Sequence, residues 1–330
     1  MFNNTSIRLS ATAMLLIGLI VMNLCFGAET LTLQQVWHSL LVDQPTVNHH
    51  IIWNLRLPRT LLAMLVGCHF ALAGLILQYG LRNPLADPSI LGISSGASLA
   101  VLITLFIGTQ TLVSHITLPL MALIGAGLAC LVILLLSYRA AFQPMVVILY
   151  GVALSASLNA LVMWIVIAKG HGETELAVLW LAGSLYGRDF SHLMILLPWS
   201  ILCALLLPLL IKPLLLMRNN DDIALACGLE LRKWRLLAMV FAVMLSAPAV
   251  AVSGPIAFVG LVVPHIAKYI SKQGRLLIPN TLLIGAILLL LADLAGRVIL
   301  APLELPVGAM SAVFGVPVFI FIMQRVGKRS

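Results

Sequence analysis

The stretch Arg82-Asn83-Pro84-Leu85-Ala86-Asp87-Pro88 separates two apolar runs, at residues 60–80 and 90–108, that are each long enough to cross a membrane. A short connector between two spans needs only turn residues. This heptapeptide instead carries a cation, an anion, an amide and two prolines, and Gln78 lies one helical turn before it. The pattern predicts a membrane protein in which this connector does more than reverse the chain.

The composition also indicates a polytopic membrane protein. Of 330 residues, 62% are hydrophobic and 9% are charged, whereas about 25% are charged in an ordinary soluble domain. The mean hydropathy is +1.11. A span needs about 20 apolar residues, and ten stretches approach or exceed this length. They lie at 9–28, 60–80, 90–108, 117–137, 144–168, 192–212, 234–252, 256–270, 277–297 and 308–325.

Two of these spans leave alternatives open. The span at 9–28 follows Arg8 and could be read as a secretory signal, but its apolar run is long for a signal, which favours an uncleaved helix. Spans seven and eight flank Ser253-Gly254-Pro255, where proline removes a backbone donor and glycine weakens a helix. These two spans could form one broken element.

The basic residues predict the orientation. With ten spans and both termini in the cytoplasm, the cations that remain outside are Arg56, Arg59, Lys169, Arg188 and Arg297. The other members of the 19 Lys and Arg residues then lie inside, as the positive-inside rule requires. The net charge of +8 is therefore explained by topology and does not indicate a nucleic-acid partner. The five scattered cysteines support neither a disulfide framework nor a metal site.

The most polar insertion inside is the loop at about 217–235. Its Asn219-Asn220-Asp221-Asp222 run is suited to capping a short helix through Ala226, with Gly228 as the stop, and a second short helix is expected from Glu230 to Trp234. The chain is predicted to be a single transmembrane domain, 1–330. It has no G-x-x-x-x-G-K-[ST] phosphate loop, so ATP hydrolysis would require another chain.

Several separated motifs together resemble one family, the permease subunits of type II ABC importers, which take up iron chelates, haem and vitamin B12. The motifs are Arg56–Arg59, Gln78 with Arg82–Pro88 and Leu91-Gly92, Trp180–Leu185, Gly254–His265, Ala292-Asp293, and Glu304–Gly308. The resemblance implies an all-α fold of ten transmembrane helices in the bacterial inner membrane. It also implies a second permease subunit (the same chain or a sister), two ATPase subunits and a periplasmic substrate-binding protein. ATP and Mg would bind to the ATPase, and no cofactor is expected on this chain.

The resemblance also implies roles for charged residues near the two membrane faces. Arg56, Arg59 and Arg297 match the exposed cations that receive glutamates of the binding protein; lipid-headgroup contact is the alternative, and Asp293 could neutralise Arg297. The expected ATPase contacts are Arg218, Asp221, Asp222, Gly228, Arg232 and Arg235. An ordinary charged loop beside lipid headgroups is the alternative for this second set.

The opening heptapeptide is predicted to be a structural motif near an inner gate. Pro84 and Pro88 would stop one helix and set the start of the next. Asp87 could cap that start, and Arg82 could pair with Asp87 or with the preceding helix end. The residues assigned to this motif are Gln78, Arg82, Asn83, Pro84, Asp87 and Pro88. Gln78 could also line the pathway or form a helix–helix hydrogen bond.

The pathway candidates are Ser155, Asn159 and Met163 on the fifth span, together with His69 on the second. Helix packing is the alternative for the first three, and a hydrogen-bonded structural histidine is favoured for His69. The leading hypothesis is an ATP-driven importer of an iron–siderophore that works by alternating access, with no catalytic site of its own. Vitamin B12 or haem is the alternative cargo. A secondary transporter that needs no ATPase is the rival class.

Overall fold

The computed structural model describes residues 3–42, 46–107, 116–169, 175–219, 221–271 and 276–327, and within these ranges every regular element is a helix. A π-helical turn, Ile51–Arg56, and a 3-10 helix, Pro88–Leu91, join the α-helices. The α-helices are α1 (Asn3–Cys25), α2 (Leu33–Leu41), α3 (Val47–His50), α4 (Leu57–Gly80), α5 (Ile93–Ile107), α6 (Thr117–Arg139), α7 (Pro144–Lys169), α8 (Glu175–Leu181), α9 (Phe190–Asn219), α10 (Asp221–Ala226), α11 (Leu231–Ser253), α12 (Val259–Ile270), α13 (Leu277–Val298) and α14 (Val307–Gly327).

Each of the ten predicted spans coincides with one apolar helix, which confirms the all-α membrane fold. Seven of the described helices are long and apolar enough to cross a membrane unaided. The three shorter apolar segments are Ile93–Phe106, Val259–Ile270 and Val307–Ile322. The first helix ends at Cys25, three residues before the predicted boundary. Gly108, the predicted end of the third span, lies outside the described residues.

The chain divides into two compact units. The first comprises Met1–Ala71, Ala182–Ile195 and Ile256–Ser330, and the second comprises Leu72–Leu181 and Leu196–Pro255. In the first unit α13 packs against α1, α12 and α14. In the second unit α5 packs against α6 and α7, and α11 packs against α6. The single-domain assignment of residues 1–330 stays a prediction.

The seventh and eighth spans are separate helices. The Gly254 amide donates to the Val250 carbonyl at 2.8 Å and closes α11. Gly254 then takes a φ of 72°, a conformation that glycine adopts without a steric cost. Phe258, at a φ of 70°, is the N-cap residue of α12. The break therefore occurs where Ser253-Gly254-Pro255 predicted it.

Pairs of facing glycines allow helices to approach closely. A Cβ atom on Gly67 of α4 would lie 2.3 Å from the Gly285 carbonyl oxygen of α13. A Cβ atom on Gly96 of α5 would lie 2.5 Å from the Gly125 carbonyl oxygen of α6. Side chains at these positions would separate the backbones, so only glycine permits this packing, as is common between membrane helices.

The heptapeptide forms a capped turn. Helix α4 ends at Gly80, before Pro84, and Pro88 is the first residue of the 3-10 helix. The Asp87 carboxylate accepts hydrogen bonds from the Ser89 amide at 2.9 Å and the Ser89 hydroxyl at 2.6 Å. The predicted capping role of Asp87 is therefore confirmed, although it caps the 3-10 helix and not α5 directly. Burial raises the pKa of the Asp87 carboxyl, and the Ser89 hydrogen bonds partly oppose that rise.

Candidate functional site

The first unit contains an arginine cluster, which we define as Arg56, Arg59, Asp293, Arg297 and Glu304. Arg59 bridges two carboxylates: its Nε donates to Asp293 at 2.8 Å and its Nη1 donates to Glu304 at 2.7 Å. The two acceptors differ in exposure, because the Asp293 side chain is fully buried whereas 28% of the Glu304 side chain is exposed. Glu304 is therefore the accessible partner of Arg59.

Asp293 also holds the second arginine of this cluster. Arg297 Nε lies 3.1 Å from the other carboxylate oxygen of Asp293, one helical turn away on α13. Arg297 Nη2 donates to the Asn23 side-chain oxygen at 2.6 Å. The predicted neutralisation of Arg297 by Asp293 is thus confirmed. A single buried carboxylate compensates two guanidinium groups.

Among the described residues, the Arg56 guanidinium donates to backbone carbonyls and pairs with no carboxylate. Its Nη1 donates to the carbonyls of Leu24 at 2.6 Å and Cys25 at 2.9 Å, and its Nη2 donates to the Glu29 carbonyl. These carbonyls lie at the carboxyl end of α1 and just beyond it, and the carbonyls at the end of a helix carry partial negative charge. Arg56 therefore fastens the end of α1 to the start of the second span.

The exposure of the three arginines differs from the expectation. Arg56, Arg59 and Arg297 are 5%, 7% and 5% exposed. Hydropathy cannot distinguish a cation on the protein surface from one enclosed between helices, which is why the sequence predicted exposed docking groups. Glu304 was noticed only as part of a motif, and its contact with Arg59 was missed. The docking role of these arginines stays a prediction.

The second unit contains the loop at 217–235 that is predicted to contact the ATPase, and we call it the coupling segment after that prediction. As predicted, the short helix α10 begins at Asp221, ends at Ala226 and is followed by Gly228, at a φ of 77°. Asn220 of the predicted cap lies outside the described residues. The predicted second short helix, Glu230–Trp234, is wrong. Glu230 precedes one continuous helix, α11, because no glycine or proline interrupts the chain until Pro248.

Asp221 joins the coupling segment to the opening heptapeptide. Its Oδ2 accepts from Arg235 Nη2 at 2.7 Å and lies 3.3 Å from Arg82 Nη1. The predicted pairing of Arg82 with Asp87 or the preceding helix end is therefore wrong. The Asp87 carboxylate is occupied by Ser89, whereas Asp221 offers a partly exposed carboxylate. This partner could not be identified locally because it lies far along the chain.

The remaining charged residues of the coupling segment differ in their surroundings. The Arg232 guanidinium lies 4.2 Å from the centre of the Tyr138 ring, and Arg218 lies 5.8 Å from that of Tyr79. Asp222 is exposed on α10. Beside it are two apolar side chains that the sequence analysis did not select, Ile223 and Leu225, which are 50% and 54% exposed. The signal that could have identified them is the apolar run Ile223-Ala224-Leu225-Ala226, which directly follows Asp221-Asp222.

The second unit also contains a cavity of about 540 Å³, which we call the serine cavity. It lies between the 3-10 helix, α5 and α7, and hydroxyl groups provide most of its polar lining. The lining residues are Ser89, Ile90, Ser94, Ser95, Ser98, Val152, Ser155, Ala156, Asn159, Leu181 and Pro255. None of these residues carries a formal charge. The cavity can therefore donate and accept hydrogen bonds, and it strongly attracts neither cations nor anions.

Two of the pathway candidates lie in this cavity and two do not. Ser155 and Asn159 line it, and the Ser155 hydroxyl donates to the Ser89 carbonyl at 3.3 Å. Met163 is exposed further along α7, and His69 is buried in α4. Gln78, which was considered for the pathway, is also buried. The pathway role of all these residues stays a prediction.

Sequence reasoning missed the serines in the first two turns of α5. Ser94, Ser95 and Ser98 follow the heptapeptide closely, and residues spaced by three and four positions share one helix face. That clustering was the available signal. Among the described residues, no group of three or more His, Cys, Asp or Glu side chains is arranged to hold a metal ion.

Comparison with known proteins shows which family the chain resembles. A model of the FecCD transport family matches residues 15–325. The chain is 40% identical to the Fe(3+) dicitrate transport system permease protein FecD of Escherichia coli (strain K12), over 292 residues that cover 88% of this chain and 90% of that protein. It is 34% identical to FecC of the same system and organism, over 92% of both chains.

A solved structure supports the same fold assignment. The chain superposes on a metal-chelate type ABC transporter, solved in an inward-facing conformation, with a TM-score of 0.84. The two are 29% identical, and the match covers 96% of this chain and 98% of the other. The similarity therefore extends over nearly the whole helical fold.

Proposed function

Because the chain belongs to the FecCD transport family, we propose that it is the permease subunit of an ABC importer that moves a ferric chelate from the periplasm to the cytoplasm. The cargo is an iron–siderophore or ferric citrate. The observation that carries this proposal is the serine cavity, an uncharged, hydroxyl-lined space between apolar helices. Serine hydroxyls can donate to the oxygen-rich surface of a chelate whose metal is already enclosed, without binding it tightly.

The distribution of basic residues supports an orientation with both termini in the cytoplasm of a bacterial cell. In this orientation the coupling segment lies inside, and the arginine cluster lies on the periplasmic side. Arg82, Arg218, Arg232 and Arg235 all belong to the cytoplasmic set. The membrane is accordingly the inner membrane, which the chain crosses several times.

The proposed assembly contains two permease subunits, two ATPase subunits and a periplasmic binding protein. The similarity to both FecC and FecD, two permease proteins of one transport system, supports a sister chain as the second permease. ATP and Mg bind to the ATPase, which contacts the coupling segment. ATP hydrolysis there shifts the two permeases between outward-open and inward-open states.

Docking of the binding protein at the arginine cluster requires an exchange of carboxylates. Arg59 is enclosed and already paired, so a glutamate of the partner must displace one of its two acceptors. Glu304 is the displaceable one because it is partly exposed, whereas Asp293 is buried and shared with Arg297. Glu304 thus occupies the position that the partner carboxylate takes on docking.

We expect Glu304→Gln to strengthen docking of the binding protein several-fold, with a larger gain at low salt. The substitution removes the carboxylate that competes for Arg59, and exposed charges are screened over about 10 Å at 0.1 M ionic strength. Surface-immobilised binding protein and the detergent-solubilised transporter would provide association and dissociation rates. Reversing the charge of Arg59 is a poorer test, because it would place a third carboxylate beside Asp293 and Glu304.

The matched control is Glu29→Gln. Glu29 contacts Arg56 through its carbonyl, so this variant removes a nearby negative charge without freeing Arg59. Unchanged or weaker docking of Glu304→Gln would contradict the exchange. Equal strengthening by both variants would also contradict it, since it would show a general charge effect.

The proposed function is tested by ATP hydrolysis in a reconstituted complex. The chain is purified with its native partners, inserted into liposomes and mixed with binding protein loaded with ferric siderophore or ferric citrate. Stimulated hydrolysis with uptake of radioactive iron is the expected result. Stimulation only by haem-loaded or cobalamin-loaded binding protein would show that haem or cobalamin, and not a ferric chelate of the siderophore or citrate type, is the cargo. Uptake by the chain without any ATPase would overturn the importer class.

A further inference from the structure

The Asp221 carboxylate is shared unequally between two arginines. The contact with Arg235 is short, at 2.7 Å, and only 7% of the Arg235 side chain is exposed. The contact with Arg82 is 3.3 Å, and 38% of the Arg82 side chain is exposed. Water competes more effectively for the second contact. Displacement of α10 would therefore break the Arg82 contact first.

A second arrangement of this carboxylate is available nearby. Asp221 Oδ1 and Arg235 Nε are both buried, and neither has a hydrogen-bond partner among the described residues. An arginine and a carboxylate can form two parallel hydrogen bonds. Arg235 Nη2 already donates to Asp221 Oδ2, and a bond from Arg235 Nε to Asp221 Oδ1 would be the second one. Rotation of the Asp221 side chain toward Arg235 would satisfy both atoms and release Arg82.

The backbone at Arg82 favours such a release. Arg82 has a φ of 46°, a left-handed conformation that is sterically unfavourable for a residue with a Cβ atom. Conformations of this kind persist only where surrounding contacts hold them. The Asp221 ion pair is one such contact. When it breaks, the turn that follows α4 is free to relax.

The turn after Arg82 leads directly into a wall of the serine cavity. The Asn83 side chain accepts from the Leu85 amide at 2.8 Å, and Asp87 caps the helix that presents Ser89 and Ile90 to the cavity. Because hydrogen bonds restrain the backbone torsions of these successive turns, a displacement of Arg82 is passed along them to the wall of the serine cavity.

Helix α7 touches the same wall. A Cβ atom on Gly151 would lie 2.1 Å from the Ile90 carbonyl oxygen, so the 3-10 helix and α7 are in direct backbone contact. The Ser155 hydroxyl donates to the Ser89 carbonyl one turn further along α7. Movement of the 3-10 helix therefore displaces α7 or breaks these contacts.

From these contacts we propose that Arg82 is a positioning residue that links the ATPase-binding helix α10 to the wall of the serine cavity. In one state Asp221 holds both Arg82 and Arg235. In the other state Asp221 and Arg235 form a doubly hydrogen-bonded pair, and Arg82 is released. The inference rests on the proposed function for the identity of the ATPase partner. It adds the route by which movement of α10 reaches the cavity.

The test compares iron uptake with ATP hydrolysis in liposomes containing the complete transporter. In Arg82→Gly the backbone conformation remains accessible but the ion pair is lost. We expect the ATPase to assemble normally and hydrolyse ATP at the basal rate, while iron uptake per ATP falls at least about fivefold, the low end of typical couplings between sites. Arg82→Asn, which also tolerates a positive φ, should behave like the glycine variant. Arg82→Lys restores the charge and should recover most of the coupling.

A second measurement separates transmission from simple stability. Hydrogen exchange of the backbone amides at 83–91, in the transporter with and without a non-hydrolysable ATP analogue, should change in the parent protein and stay constant in Arg82→Gly. Normal uptake per ATP in Arg82→Gly would overturn the inference and leave the proposed function intact. Loss of uptake in parallel with loss of ATPase assembly would also overturn it. A parent chain that binds no ATPase would overturn the proposed function itself, and the inference with it.

Discussion

Asp293→Asn will destabilise the folded permease by about 3–5 kcal/mol, the range observed when one partner of a buried ion pair is removed. The carboxylate is fully buried and lies between the guanidinium groups of Arg59 and Arg297. Asparagine preserves the shape of the side chain but leaves two enclosed cations without their shared counter-charge. The free energy of unfolding, from denaturant titration of the purified chain in detergent micelles, measures the loss.

Glu304→Gln is the matched control for this prediction. It makes the same change, from carboxylate to amide, on the other partner of Arg59, but at a partly exposed position. Partly exposed ion pairs typically contribute about 1 kcal/mol or less, so a small loss is expected. If the Asp293 variant were no less stable than the Glu304 variant, the central role of the buried carboxylate would be refuted.

The arginine cluster illustrates what hydropathy can and cannot predict in a membrane protein. The ten apolar helices were predictable because a span must satisfy its backbone hydrogen bonds internally and present apolar side chains. The burial of Arg59 was not predictable, because it depends on Asp293 and Glu304 reaching it from distant parts of the chain. Apolar neighbours on a helix look the same in sequence whether they face lipid or protein.

A similar division holds for the heptapeptide and the coupling segment. Asp87 as a cap and Gly228 as a stop follow from local chemistry, since both act within a few residues of their own positions. The partner of Arg82 is set by tertiary packing. Local reasoning offered Asp87 or the end of the preceding helix, whereas in the folded chain Arg82 pairs with Asp221, and Ser89 occupies the Asp87 carboxylate. Competition for hydrogen bonds therefore determines the partner of Arg82, which sequence spacing alone does not.

The double substitution Ile223→Asp with Leu225→Asp will weaken ATPase binding by about 100-fold or more. Both side chains are at least half exposed on the short helix α10, in the segment that we propose contacts the ATPase. Apolar anchors of a docked helix typically contribute about 2 kcal/mol or more each when they fill a pocket of the partner. Binding of purified ATPase to the permease in nanodiscs, measured by titration, provides the affinity. Substitutions at exposed positions usually change the free energy of unfolding very little. The midpoint of unfolding should therefore match that of the parent protein.

Helix α2 supplies a control with the same chemistry at another place. Leu33 and Leu41 are 63% and 66% exposed on a short amphipathic helix that the proposed topology puts on the periplasmic side. Leu33→Asp with Leu41→Asp adds the same two charges but should leave ATPase affinity unchanged. Equal losses in the two double variants would point to charge or membrane effects. If the α10 variant bound the ATPase with near-parent affinity, α10 would not be part of the interface. A docked helix cannot accept two charges at its apolar contacts without losing affinity.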